Sequence, residues 1–119
     1  MLSLPVAAGT IIYDGSLVAV NAQGFAVPAT KAAGLTAAGR ADTFADNSQG
    51  AAGDIAVNVR RGAFIWENDP ATANKVTQAL VFKPCYILDD CTVTALADGS
   101  SVAGTVLGIT ADGIIVETV

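Results

Sequence analysis

Turn-forming pairs punctuate this sequence from end to end, and apolar and polar residues alternate between them. Asp14-Gly15, Arg61-Gly62, Asp98-Gly99 and Asp112-Gly113 are turn pairs, as is the stretch Asn21-Ala22-Gln23-Gly24. Asp, Asn and Gly tolerate positive φ, so each pair can reverse an extended chain. The segments between them are short and strand-like: Thr10–Tyr13, Leu17–Val20, Phe25–Pro28, Leu35–Ala41, Ala63–Trp66, Cys85–Leu88, Cys91–Ala95, Val102–Thr110 and Ile114–Thr118. Asp54–Arg60 alternates most cleanly, with Ile55, Val57 and Val59 on one face and Ala56, Asn58 and Arg60 on the other. That is the pattern of a half-buried antiparallel strand. Gly104 and Gly108 lie inside the 102–110 strand and mark expected bulges. Roughly eight to ten short strands at this spacing predict an all-β fold, a small β-barrel or sandwich of short antiparallel strands.

Three segments stand apart. Residues 72–82 carry Val76, Ala79 and Leu80 at helical spacing, with Thr72 as a possible cap and Pro84 as a stop, so at most one short helix is expected there. Residues 42–53 are small and polar and read as a long exposed loop. Residues 1–8 are apolar but precede the first turn-bounded strand. They read as an N-terminal arm laid on a neighbouring molecule, with Leu2, Leu4 and Val6 as its contacts. Residues 9–119 then form a single β-rich domain.

Composition sharpens the expectation of neighbours. Hydrophobic residues make up 52% of the 119-residue chain, but much of that is alanine, which contributes little burial energy per side chain. A core of this kind reads as one completed by an oligomer. The net charge of −5 excludes neutralisation of a phosphate backbone, so no nucleic acid partner is expected. No apolar run reaches the length of a membrane span, and the N-terminus lacks a basic segment typical of secretion, so no membrane partner is expected either. Without signs of secretion, Cys85 and Cys91 are expected as free thiols in the core.

Chemistry-bearing motifs are scarce. The chain has no histidine, which removes the commonest general base and metal ligand, the Ser-His-Asp triad and the Cys-His pair. Two cysteines without histidine cannot fill a tetrahedral zinc site. No phosphate-binding or dinucleotide fingerprint is present. Asp89, Asp90, Asp98 and Asp112 read as solvated turn residues, and Glu67 and Glu117 are not paired as acid and base. The expectation is therefore no enzyme, no cofactor and no metal. Arg60-Arg61 is the one basic pair and reads either as a solvated hairpin end or as a contact for an acidic partner surface. Trp66 shares a face with Phe64 and reads as core or as an interface anchor.

The succession of strands and turns also resembles a known family. The N-terminal half carries Asp14-Gly15-Ser16-Leu17-Val18, Gly24-Phe25-Ala26-Val27-Pro28-Ala29, Gly39-Arg40-Ala41 and the run from Val57 to Phe64. The C-terminal half carries the run from Lys83 to Val93, then Ala103–Ile109 and Asp112–Glu117. Over nearly its whole length the chain resembles the small capsid decoration, or cement, proteins of tailed phages, Mu-like phages included. It has Pro84 and Cys85 where such proteins often show Gly or Val. The resemblance implies a β-rich protein made in the host cytoplasm and bound to the outer surface of the virion capsid. It implies homotrimer-like clusters that bridge subunits of the major capsid protein and stabilise the mature shell, without catalysis. A carbohydrate- or receptor-binding β-module, with the 42–53 loop as binding element, and a tail or baseplate component are the alternative readings.

Overall fold

A computed structural model describes residues 2–118, and over them the chain is all-β. Its strands are β1 (Leu2–Pro5), β2 (Thr10–Ile12), β3 (Leu17–Val20), β4 (Ala26–Pro28), β5 (Thr36–Ala41), β6 (Ala45–Asn47), β7 (Ala56–Arg60), β8 (Gly62–Asn68), β9 (Pro84–Ile87), β10 (Thr92–Thr94), β11 (Val102–Thr110) and β12 (Gly113–Thr118). They form a five-stranded sheet in the order β1-β7-β5-β3-β4, a closed barrel in the order β10-β8-β12-β11-β9, and a short β2-β6 ribbon. The body measures 42 × 26 × 20 Å, long enough for the two larger units to carry separate cores.

The first core gathers Val6, Ile12, Val18, Ala26, Ala38, Ala41, Ala45, Val57 and Val59. The second fills the barrel with Trp66, Val76, Cys85, Ile87, Val93, Ala103, Val106, Ile114 and Val116, and takes in Leu17, Ala19 and Ala29 from the N-terminal half. β3 therefore divides its alternate side chains between the two cores. Val18 points into the first and Leu17 and Ala19 into the second, all three fully buried. Burying a Val or Leu side chain contributes about 1.5–3 kcal/mol. A strand buried on both faces reads as a continuous apolar run, as Leu17-Val18-Ala19-Val20 does.

Two glycines fix how closely the strands approach. Gly39 in β5 has φ +144°, and a Cβ there would overlap the Arg60 carbonyl. Gly113 has φ +147°, and a Cβ there would overlap the Trp66 carbonyl. The first permits a bulge where β5 passes β3, since the register shifts between Val18 and Ala19. In β11 the register shifts between Val102 and Gly104 and again between Val106 and Gly108, beside the two glycines expected to mark bulges.

Residues 2–7, read from the sequence as part of an arm laid on a neighbouring molecule, bond to strands of their own chain here; Met1 lies outside the described residues. Leu2, Ser3, Leu4 and Pro5 pair antiparallel with Val59, Asn58, Val57 and Ala56. Val6 then donates its N–H to the Ile55 carbonyl (3.0 Å) and bridges to Ala26, while the Ala7 N–H donates to the Ala26 carbonyl (3.0 Å). The strand that begins on the β7 edge thus ends on the β4 edge and rolls the sheet nearly shut around the first core. The physical reason is the Leu2-Leu4-Val6 alternation, which matches the inward side chains Val57 and Val59 in register.

The 42–53 segment is not wholly loop either, because β6 pairs with β2 within it. Asn47 is the polar residue that makes this possible. Its buried Nδ2 donates to the carbonyls of Val6 (3.2 Å), Ala7 (3.0 Å) and Ala51 (2.9 Å). Residues 72–82 hold two separate single-turn 3₁₀ helices, Thr72–Asn74 and Gln78–Leu80, instead of one helix. The Asn68 side chain separates them by acting as a peptide: it accepts from the Val76 N–H (2.9 Å) and donates to the Val76 carbonyl (3.0 Å). That grip holds the Val76 backbone, whose side chain is buried in the barrel core.

Replacing Asn47 with Ala removes three hydrogen bonds; the Val6 and Ala51 carbonyls keep the Gly53 and Asp54 N–H donors, and the Ala7 carbonyl loses its donor among the described residues. Asn47→Ala is expected to lower unfolding stability by about 1–3 kcal/mol. Urea denaturation followed by the fluorescence of Trp66, the chain's single tryptophan, measures this; a midpoint equal to wild type would refute the clamp.

Candidate interaction surface

The barrel and sheet place the candidate residues as follows. Trp66 is 5% exposed and edge-on to Phe64, with ring centroids 6.3 Å apart. It belongs to the barrel core, so its reading as an interface anchor is corrected: β8 turns alternate residues inward, and Trp66 falls on the inner set opposite Ile114. Its Nε1 is buried without a hydrogen-bond partner among the described residues. Val6 is fully buried and Leu4 half-buried, whereas Leu2, at the start of the edge strand β1, is exposed. Pro5, which has no N–H, blunts that edge. Arg60 and Arg61 are both exposed. Arg60 pairs with Asp42 at 3.0 Å, a surface ion pair contributing about 0.2–1 kcal/mol.

Arg60 also stands directly opposite Arg40 in the β5–β7 ladder. Like charges in that position repel. The Arg40 guanidinium leans instead over the Phe64 ring, 5.9 Å from its centroid, which gives it a favourable contact across the boundary between sheet and barrel.

The acidic corner at Asp89, Asp90 and Cys91 brings its potential ligand atoms within 4.8 Å of one another. Cys91 is exposed, not in the core as expected, and Cys85 is buried; neither is bridged. The Cys91 Sγ lies 3.3 Å from Asp89 Oδ1 and 3.4 Å from Glu67 Oε2, so its S–H is shared between two carboxylates. The Thr92 hydroxyl pulls the Cys91 thiol down, but burial, those two carboxylate acceptors and the Asp89 charge push it up to about 11. Burial pushes Cys85 up to about 12. Both thiols therefore stay protonated near neutrality, a poor state for a nucleophile. Burial of Asp89 works against its charge, but hydrogen bonds from Cys91 and Thr92 prevail and hold its carboxyl below the ordinary range. For Asp90, burial and then the Asp89 charge hold the carboxyl above it.

Apolar side chains supply the other surface features. Tyr13, at the end of β2, and Phe44, at the start of β6, are 58% and 56% exposed, with ring centroids 5.7 Å apart. The ladder that pairs Ile12 with Ala45 sets them side by side. A groove of about 470 Å³ opens between the start of β5 and the start of β11, lined among others by Leu35, Thr36, Tyr86, Val102, Thr105 and Glu117. Its Ser101 and Thr118 hydroxyls are already engaged, donating to the carbonyls of Ala32 (2.6 Å) and Ala103 (2.9 Å).

Phe82 is the most exposed large apolar residue among those described, at 77%. It is also the one non-glycine residue among them with positive φ, at +67°. For a bulky side chain this left-handed conformation costs about 1–2 kcal/mol. Hydrogen bonds on both sides hold it in place: Phe82 N–H to the Val106 carbonyl (2.6 Å), Lys83 N–H to the Leu80 carbonyl (2.8 Å) and Val106 N–H to the Lys83 carbonyl (3.0 Å).

Sequence reasoning included Arg60 and Arg61 but missed Arg40, Tyr13 and Phe82. Tyr13 could have been found by pairing the aromatic before Asp14-Gly15 with Phe44. Phe82 left no such signal, because its neighbours Leu80 and Val81 pack against the core and the same run reads as apolar throughout. No protein-family model, curated protein or solved structure matches the chain.

Asp90 generates a pH-dependent expectation. Its folded carboxyl titrates above the ordinary value of 3.8, so the ionised form costs stability at neutral pH, and that cost fades as pH falls through the folded pKa toward the unfolded one. Asp90→Asn should therefore raise the urea midpoint at about pH 7 and lose that advantage near about pH 3. A gain of equal size at both pH values would refute the assignment.

Proposed function

We propose that the chain is a structural protein that docks on a larger protein assembly, as the resemblance to capsid decoration proteins implies. It binds the outer surface of a phage capsid, bridges major capsid subunits and stabilises the mature shell, clustering with two further copies of itself. The observation that carries this reading is the pairing of chemistry-poor surfaces with displayed apolar side chains. Both cysteines are held protonated, the acidic corner satisfies its own S–H, and the groove's Ser100, Ser101 and Thr118 hydroxyls donate to backbone carbonyls. Meanwhile Tyr13, Phe44, Ile65, Phe82 and Val102 each keep about half or more of their surface in water. Tyr13 and Phe44 adjoin each other, and exposed apolar side chains that adjoin suit an interaction surface.

Mixing the purified protein with expanded, undecorated phage shells tests this. Electron microscopy should show regular added density on intact shells, and a higher temperature or denaturant concentration should be needed to disrupt them. Bare shells at saturating protein would refute the reading, and density confined to tails would move the protein to a tail or baseplate role.

The exposed Tyr13–Phe44 pair favours a second reading, a carbohydrate-binding module, because sugars stack on exposed aromatic rings. On a glycan array, retention of a sugar by the wild type and its loss in both Tyr13→Ala and Phe44→Ala would support that module. No retained glycan would remove it.

A further inference from the structure

The segment from Pro70 to Leu88 leaves the barrel after β8, makes the two 3₁₀ turns and returns as β9. Within it the inward residues are well defined. Val76 is buried, and Leu80 and Val81 pack against the barrel core. Phe82 then swings outward, and it does so through a backbone conformation that glycine would adopt more readily. The turn gains nothing for its own packing from the ring, which is 77% exposed. A fold selected only for stability would place glycine or asparagine there. Strain that carries an apolar ring into solvent points to a use outside the chain.

The charges around it describe the partner. From Pro70 to Leu88 the chain has two lysines, Lys75 and Lys83, and no carboxylate, although the whole chain carries 11 acidic residues against 6 basic ones. Both lysines are exposed, and Lys83 directly follows Phe82. The displayed ring is thus set in a stretch whose charged side chains are all cationic, within an acidic molecule.

We propose that Phe82 is the docking anchor of this protein, entering an apolar pocket with an acidic rim on the partner's surface, with Lys75 and Lys83 facing that rim. This rests on the reading that the chain docks on a capsid shell, and it names the element that makes the contact. Buried aromatic anchors of this kind carry a large share of binding energy at interfaces, and rim charges govern its salt dependence.

The test compares wild type, Phe82→Gly, Phe82→Ala and the double variant Lys75→Gln/Lys83→Gln. Co-sedimentation with expanded shells reads binding, and urea denaturation by Trp66 fluorescence reads stability. Phe82→Gly should unfold at the same or a higher urea concentration than wild type, because it relieves the backbone, and should bind at least about thirtyfold more weakly. Phe82→Ala keeps the strain and should lose binding to the same extent. The lysine variant should bind more weakly at low salt and approach wild type at high salt. Phe82→Gly binding like wild type overturns the anchor while leaving the shell reading intact. Phe82→Gly unfolding earlier than wild type also overturns it, since the ring would then serve the fold. Absence of wild-type binding overturns the shell reading and this proposal with it, and the stability result then distinguishes a displayed ring from a packed one.

Discussion

The double-sided burial of β3 is the constraint on which both halves of the molecule depend. Leu17 and Ala19 complete the barrel core, and Val18 completes the core of the first sheet, so the strand is a shared wall. Its backbone ties the halves together as well: the Leu17 N–H donates to the Asp90 carbonyl at 2.7 Å, and Arg40, opposite Leu17, reaches across to Phe64. Neither half can relax here without exposing the other. Small side chains make such a wall thin enough to serve two cores, and this gives the chain's alanine content a structural use. Ala19, Ala26, Ala29, Ala38, Ala41, Ala45 and Ala103 are all buried where strands approach closely.

Much of this architecture was legible in the sequence wherever the signal was local. The alternation of Val57 and Val59, the turn pairs, and the glycines of β11 each report a short-range physical rule, and the strands formed where those rules placed them. The misreadings concern partners distant in sequence. β1 looked like an arm because its partner, β7, lies some fifty residues away, and no local pattern announces a ladder of that span. β6 looked like loop because Asn47, a polar residue, is buried by carbonyls from Val6, Ala7 and Ala51. Helical spacing at Val76, Ala79 and Leu80 was overridden by Asn68, whose amide takes up the very backbone groups a helix would have used. The candidate surface was less legible still. For Trp66 the choice between core and interface turned on which face of β8 points into the barrel.

Electrostatics divides the surface in a way that composition conceals. A net charge of −5 describes the average, yet Arg40 and Arg60 stand opposite each other in one ladder and Lys75 and Lys83 lie on one excursion. The acidic corner at Asp89 and Asp90 carries the opposite sign, one carboxyl held low by hydrogen bonds and its neighbour held high by burial and repulsion. Two adjacent carboxyls in a turn thus face opposite consequences of folding, because only the first receives the N–H and S–H donors of Cys91.

The roll of β1 from the β7 edge to the β4 edge has a consequence for how the chain is made. Leu2–Pro5 is synthesised well before its ladder partners Ala56–Arg60, and Val6 needs Ala26 before it can close the roll. Leu2–Pro5 therefore waits, unpaired, while the hairpin of β3 and β4 forms from contacts close in sequence. Ladders that join distant residues close slowly, because loop entropy is lost before their bonds form. A strand synthesised before its partners is thus among the last to be fastened in its half of the molecule.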